Sequence, residues 1–150
     1  MKARMKNPAM LLNVNPVIQN MMTSIYQSGI SVDLLEYVGL RVGQMNNCQL
    51  CIDQSLIKAK DNIHTSNQIE HVLDWKETNT FNESERVALE VTEAITKLED
   101  RYNSLPDELW SKFEGSFNEK ERAALVLYIS VMNMFTRINV ATRQITADWA

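Results

Sequence analysis

The two cysteines of this 150-residue chain stand three apart, in the stretch Asn46-Asn47-Cys48-Gln49-Leu50-Cys51-Ile52-Asp53-Gln54-Ser55. Residues three apart on a helix share one face, so the two sulfurs can reach each other and cycle between dithiol and disulfide. Asn46 and Asn47 suit a turn and cap, which predicts a helix opening at Cys48 and running to about Lys60. The unpaired N–H groups and positive dipole end of such a helix favour a thiolate. Redox chemistry is therefore the reading the pair favours. Zinc is a rival, since Cys48, Cys51, His64 and His71 come near a zinc-finger spacing. The gap between the histidines exceeds the usual span of roughly three to five residues, however, and the surroundings read as helical. The histidines read better as solvated surface groups, and neither a metal nor another cofactor is expected. A third reading makes the cysteines small buried apolar groups, which suits a lone cysteine better than the only two in the chain at this spacing.

Glu36 is the next residue that could do chemistry, because it stands among apolar neighbours on the preceding helical stretch. If the helices on either side of Asn46-Asn47 pack antiparallel, Glu36 lies about 16 Å back from the turn and Cys51 about 6 Å past it. Glu36 then faces positions 55 to 58 rather than the sulfurs, and a proton must cross by a bridge from position 55 or by water. A carboxylate on an apolar face is costly unless paired, which makes it a functional candidate with a raised pKa. An ion pair with Arg41 or another basic residue is the alternative.

The rest of the chain reads as helical scaffold. Hydrophobic residues make up 45% and charged residues 23%, with four glycines and three prolines, as in a soluble globular protein large enough to bury a core. One domain over residues 1–150 is expected. The net charge of −4, with Lys and Arg dispersed among acids, argues against a nucleic-acid partner. No continuous apolar run approaches the roughly 18 residues of a membrane span, and the basic N-terminus is followed by no signal-like apolar region. The cytoplasm is the expected compartment, where C-x-x-C is more often catalytic than a structural staple.

Apolar periodicity predicts a first helix over Asn13 to Ser28 and a second capped by Ser31, carrying Leu34, Leu35, Val38, Val42 and Met45. Thr65-x-x-Gln68 has capping-box spacing and predicts a short helix to about Trp75. Phe81-Asn82-Glu83-Ser84-Glu85-Arg86-Val87-Ala88-Leu89 is echoed thirty-six residues later by Phe117-Asn118-Glu119-Lys120-Glu121-Arg122-Ala123-Ala124-Leu125. Each copy reads as an Asn cap with a Glu three residues on, so helices should start at Glu83 and Glu119. Ser104-Leu105-Pro106 opens another through Leu109, Trp110 and Phe113. The last helix, to about Thr146, carries two apolar stripes, one through Ala123, Leu127, Val131, Met134, Ile138 and Ala141, the other through Leu125, Ile129, Met132 and Phe135. A helix apolar on two sides is buried on two sides, as a core helix or a subunit interface, so a homo-oligomer is expected.

These residues carry a resemblance. Leu35-Glu36-x-Val38-x-Leu40-Arg41-Val42 followed by Asn47-Cys48-x-x-Cys51-Ile52-Asp53 resembles the core of the alkylhydroperoxidase AhpD-like / carboxymuconolactone decarboxylase family, whose redox branch has the pattern E-x11-C-x-x-C-x3-H. The segments from Trp75 to Leu89 and from Phe117 to Ala141 are similar too, so the likeness spans about residues 32–143. It implies an all-α, AhpD-like helical domain with the C-x-x-C at the N-terminus of a central helix, assembled as a trimer or hexamer. By position it implies Cys51 as the thiol that attacks a peroxide, Cys48 as the resolving thiol and Glu36 as the base. The implied partners are a small-molecule hydroperoxide or a protein disulfide, and a thiol reductant. The chain departs from the pattern where the relay histidine belongs, four residues after the second cysteine, and has Ser55 there. A serine hydroxyl passes a hydrogen bond but is no base near neutral pH, so a weakened peroxidase, or a helical binding scaffold without efficient catalysis, is implied. The decarboxylase branch lacks the cysteine pair, which counts against lactone decarboxylation.

Overall fold

The computed structural model describes residues 2–60, 67–98 and 103–145. Among the described residues all regular structure is helical: α1 (Pro8–Leu11), α2 (Asn15–Tyr26), α3 (Val32–Met45), α4 (Gln49–Lys60), α5 (Glu83–Thr96), α6 (Asp107–Ser116) and α7 (Glu119–Thr142), with a further helical turn at 67–69.

Most boundaries follow from local chemistry. Ser31 Oγ accepts from the Leu34 N–H at 3.4 Å and starts α3. Asn82 and Asn118 each close a reciprocal capping box with Glu85 and Glu121, so the echoed sequence is two copies of one helix-start device. Pro106 sits just ahead of α6, with Asp107 and Glu108 in its positive first turn.

Two expectations need correction. The region before α2 holds the short helix α1, which the sequence reading left out; Asn7 caps it by accepting from the Ala9 N–H at 2.9 Å, with Pro8 at the first position. With no apolar period to mark it, only that cap signalled it. The expected helix to Trp75 survives only as the turn at 67–69 and then breaks into turns. Tertiary bonds account for the break: Gln68 accepts from the Tyr37 hydroxyl at 2.6 Å and donates to the Thr80 carbonyl at 2.9 Å. Arg86 donates to the carbonyls of Trp75, Lys76 and Thr78. The proposed cap at Thr65 and His64 lie outside the described residues.

Helix α3 is packed against α4, α5 and α7, while α2 lies on α7 and α6 on α5. Leu35, Tyr37, Val38, Leu40 and Val42 of α3 are almost wholly buried, alongside Leu89 of α5, Phe113 of α6 and Leu125 and Ile129 of α7. Burying each such side chain contributes about 1.5–3 kcal/mol. At its far edge α3 is tied to α5 and the 75–80 segment through Glu93, which accepts from Arg41 at 2.6 and 2.9 Å, from Trp75 Nε1 at 2.8 Å and from Lys76 Nζ at 2.8 Å.

On α7 the stripe with Leu125 and Ile129 faces the core. The other stripe is open only in part: Ala123, Leu127 and Ala141 are exposed, Met134 and Ile138 are half-buried, and Val131 is buried. By length and composition α7 would pass as a membrane span, which no continuous apolar run suggested, but core helices pass the same test. It carries buried Thr136 and Asn139 and packs against α2, α3, α5 and α6.

Candidate active site

The turn that presents the cysteines is built by the end of α3. Asn47 takes a left-handed backbone conformation at φ 51°, the position glycine usually fills, and asparagine is among the few other residues that tolerate it. The Asn47 N–H then reaches the Gln44 carbonyl at 3.1 Å, and the Cys48 N–H reaches the Gly43 carbonyl at 2.9 Å. These are the paired bonds of a Schellman C-cap. The Asn46 amide locks the turn by donating to the Val42 carbonyl at 2.9 Å and to Asn133 Oδ1 on α7 at 3.1 Å.

Cys48 therefore ends one helix and starts the next. Its carbonyl accepts from the Ile52 N–H at 3.0 Å, and its sulfur accepts from the Cys51 N–H at 3.4 Å, where a serine or asparagine oxygen would cap an ordinary helix. Cys48 and Cys51 are joined in a disulfide. Cys48 is 3% exposed, whereas Cys51 is half-buried. The Cys51 sulfur lies 3.5 Å from Asn139 Nδ2 and 3.7 Å from the Thr136 hydroxyl. The Asn139 amide can donate to a thiolate once the disulfide is reduced; the Thr136 hydroxyl, which donates to the Met132 carbonyl at 3.0 Å, must turn from it to do so.

Cys51 opens onto a cavity of about 290 Å³ between α2, α3, α4 and α7. Glu36 and Ser55 line the same cavity, so three of the four candidate residues share one chamber. Cys48 does not reach it and borders a separate groove of about 200 Å³ beside Val140 and Arg143. Apolar side chains, among them Ile18, Met22, Met132 and Phe135, form much of the cavity wall.

The expected partner of Glu36 is not Arg41, which is taken by Glu93. Lys58 on α4 instead shares the cavity with Glu36 and is the cation nearest in effect. Burial pushes the Glu36 carboxyl above the usual range; Lys58 opposes this and Asp33 adds to it. Two tyrosines complete the polar lining. Tyr128 is 2% exposed, and Tyr26 stands beside it close enough for the two hydroxyls to interact. Burial raises both phenols, and the Glu36 charge raises them further. His71 lies on the surface, 3.9 Å from Asp74, and among the described residues no three His, Cys, Asp or Glu side chains cluster as a metal site.

Sequence reasoning missed Tyr26, Lys58, Tyr128, Thr136 and Asn139. A signal existed for two of them, since Thr136 and Asn139 are polar residues three apart on one face of the helix that carries two apolar stripes. The tyrosines gave none, because an aromatic on an apolar helix face reads as core.

Comparison with known proteins shows the family and the fold. Residues 16–94 match the family model described as the carboxymuconolactone decarboxylase family. The uncharacterized protein YdfG of Bacillus subtilis is 33% identical over 115 residues, 77% of each chain. YnjA of Escherichia coli, also uncharacterized, is 28% identical over 104 residues, 69% of this chain and 56% of its own. Among solved structures, a protein of unknown function from Agrobacterium tumefaciens, described as a candidate antioxidant-defence protein AhpD, superposes with a TM-score of 0.83 at 22% identity, covering 95% of this chain and 97% of that one. The debrominase Bmp8 superposes at 0.74 and 18% identity, covering 96% and 79%. A cysteine-to-alanine variant of Bmp8 holding 2,3,4-tribromopyrrole does so at 0.74 and 17%. At these identities the structural likeness is one of fold.

Proposed function

This chain belongs to the carboxymuconolactone decarboxylase family, and we propose that within it the protein is an AhpD-like thiol peroxidase with an antioxidant role. The observation that carries the reading is the Cys51 sulfur at the wall of a cavity, met there by Thr136 and Asn139 and bonded on its other side to Cys48.

In the reduced protein the Cys51 thiol loses its proton toward Glu36, and the thiolate attacks the outer oxygen of a hydroperoxide. The S–O bond forms, the O–O bond breaks, and the departing alkoxide takes a proton to leave as an alcohol. Cys48 then displaces hydroxide from the sulfenic acid; that hydroxide takes a proton to leave as water, and the disulfide closes. The sum is one hydroperoxide and two thiols giving an alcohol, water and a disulfide. An external thiol, as a reducing cytoplasm supplies, regenerates the pair by exchange. Asn139 and Thr136 favour the thiolate, and the apolar wall accepts the organic part of the substrate. The exposed part of that α7 stripe, Ala123, Leu127 and Ala141, supports assembly as a homo-oligomer, with sedimentation velocity as its check.

The aromatic and methionine walls favour one second reading. A flat halogenated ring fits such a chamber, and the same dithiol could remove its halogen: aryl halide and two thiols give the arene, hydrogen halide and the disulfide.

The test is a thiol count against time, using fully reduced protein and stoichiometric cumene hydroperoxide, with Cys51→Ser alongside. Rapid loss of two thiols per chain, abolished by the substitution, is expected. Loss no faster than that of a free thiol would defeat the peroxidase reading, and halide release from a brominated pyrrole would then support the second.

A further inference from the structure

The proton path from Cys51 to Glu36 has no histidine, and Ser55 is a poor substitute for one. Helix α3 shows what stands there instead. A Cβ built on Gly43 would come within 3.2 Å of the Cys51 Cβ, and one on Gly39 within 3.1 Å of the Tyr128 hydroxyl. Gly39 and Gly43 are one turn apart, and Glu36 precedes Gly39 by three residues on the same face. Along α3 the order is therefore Glu36, the Tyr128 hydroxyl and Cys51, in axial steps of about 4.5 and 6 Å. The Tyr26 hydroxyl stands beside that of Tyr128, and all four groups border the cavity. The space for that hydroxyl exists because residue 39 has no side chain.

We propose that the paired hydroxyls of Tyr128 and Tyr26 form the proton relay between Glu36 and the Cys51 end of the cavity, in place of a histidine. This rests on the thiol-peroxidase reading. A hydroxyl accepts one proton while releasing another, so the pair can move a proton without becoming charged. On thiolate formation the Cys51 proton passes through a cavity water to Tyr128, Tyr128 passes its own to Tyr26, and Tyr26 protonates Glu36. When the O–O bond breaks the sequence reverses, and the alkoxide takes the proton. The titratable groups facing the hydroxyls are Glu36 from α3 and Cys51 and Lys58 from α4. Tyr128 and Tyr26 are positioning residues for the thiol and donors to the leaving oxygen.

Tyr128→Phe and Tyr26→Phe each remove one hydroxyl. Two readouts are taken on each variant: thiol loss with cumene hydroperoxide at pH 7, and the pH profile of Cys51 alkylation by iodoacetamide in a Cys48→Ser background. Tyr128→Phe should slow thiol loss roughly tenfold or more and move the alkylation midpoint to higher pH, leaving the high-pH plateau unchanged. Tyr26→Phe should act in the same direction with smaller effect. Its side chain is more exposed, so it decides the matter if Tyr128→Phe does not fold. Peroxide rates and alkylation midpoints both equal to the parent protein's would overturn the relay. A parent protein no faster than free thiol would defeat the peroxidase reading alone, and the alkylation midpoint, which needs no peroxide, would still decide the relay.

Discussion

The side-chain amide of Asn139 lies 3.5 Å from the Cys51 sulfur, one turn along α7 from Thr136, whose hydroxyl is 3.7 Å from the same atom. One helix thus brings an amide donor and a hydroxyl, the latter donating to the Met132 carbonyl at 3.0 Å, against the sulfur that faces the cavity. Hydrogen bonds to a charged group contribute about 1.5–3 kcal/mol, and the length of these contacts places them at the low end.

Asn139→Ala should accordingly raise the Cys51 thiol pKa and cut its alkylation rate at neutral pH roughly tenfold, since about 1.4 kcal/mol is one pKa unit. Thr136→Val should act in the same direction. Iodoacetamide kinetics across pH measure both.

Glu36 and Glu93 should respond to pH with opposite signs. The Glu36 carboxyl is raised by burial, so the folded chain holds that proton more tightly than the unfolded chain. Its contribution is fully present below the ordinary carboxylate range and is lost as pH rises through the folded value. Burial also pushes Glu93 up, but hydrogen bonds from Lys76, Trp75 and Arg41, with the Arg41 charge, hold it below the ordinary value. Its contribution is present above that range and is lost as pH falls through the folded value. At pH 7, Glu36→Gln should therefore raise the melting temperature while slowing thiol oxidation. Glu93→Gln should destabilise by about 2 kcal/mol. Denaturant unfolding at pH 4 and pH 7 checks both signs.

Ser55→His should speed peroxide consumption, because an imidazole at that point of the cavity wall supplies the base that the hydroxyl cannot. The larger gain, about tenfold or more, should appear in a Tyr128→Phe background, where the new side chain replaces the lost hydroxyl. No gain in correctly folded protein of either background would defeat the proton-transfer account.

Gly43→Ala places a methyl 3.2 Å from the Cys51 Cβ and 3.5 Å from the Ile52 N. Backbone on the facing side leaves little room to yield, so α4 must shift. A loss of about 1–3 kcal/mol is expected, with a slower return of the disulfide after reduction, read by thermal melting and thiol titration.

Much of the scaffold was legible in the sequence because its signals are local. Asn82 with Glu85 and Asn118 with Glu121 marked two helix starts to the residue, and Ser31 marked a third. The C-x-x-C and the depth of Glu36 were legible for the same reason: helical rise converts sequence spacing into distance, and Glu36 does share its cavity with Ser55 and Lys58. What depends on contacts between distant segments could not be read. Glu93 takes Arg41 from fifty-two residues away, which frees Glu36 for Lys58. Gln68 spends its amide on Tyr37 and Thr80 instead of a helix, and the Tyr128 hydroxyl reaches the cavity it shares with Glu36 where it passes Gly39 of α3.

The bonds made by Tyr37 and Arg41, one turn apart on α3, have a consequence for motion. Both hold the segment after α4: Tyr37 through Gln68, and Arg41 through the Glu93 hub that also binds Trp75 and Lys76. Helix α3, which carries Glu36 into the cavity, is braced by these bonds. The α2 side is not: its N-terminus has no side-chain cap, Ile25 is its sole buried residue, and the link that follows it turns at Gly29 with φ +103°. The chamber thus has a braced wall carrying Glu36 and a compliant wall carrying Ile18, Met22 and Tyr26. Amide hydrogen exchange should show α2 opening well before α3, which would let bulky peroxides enter without disturbing the spacing between carboxylate and sulfur.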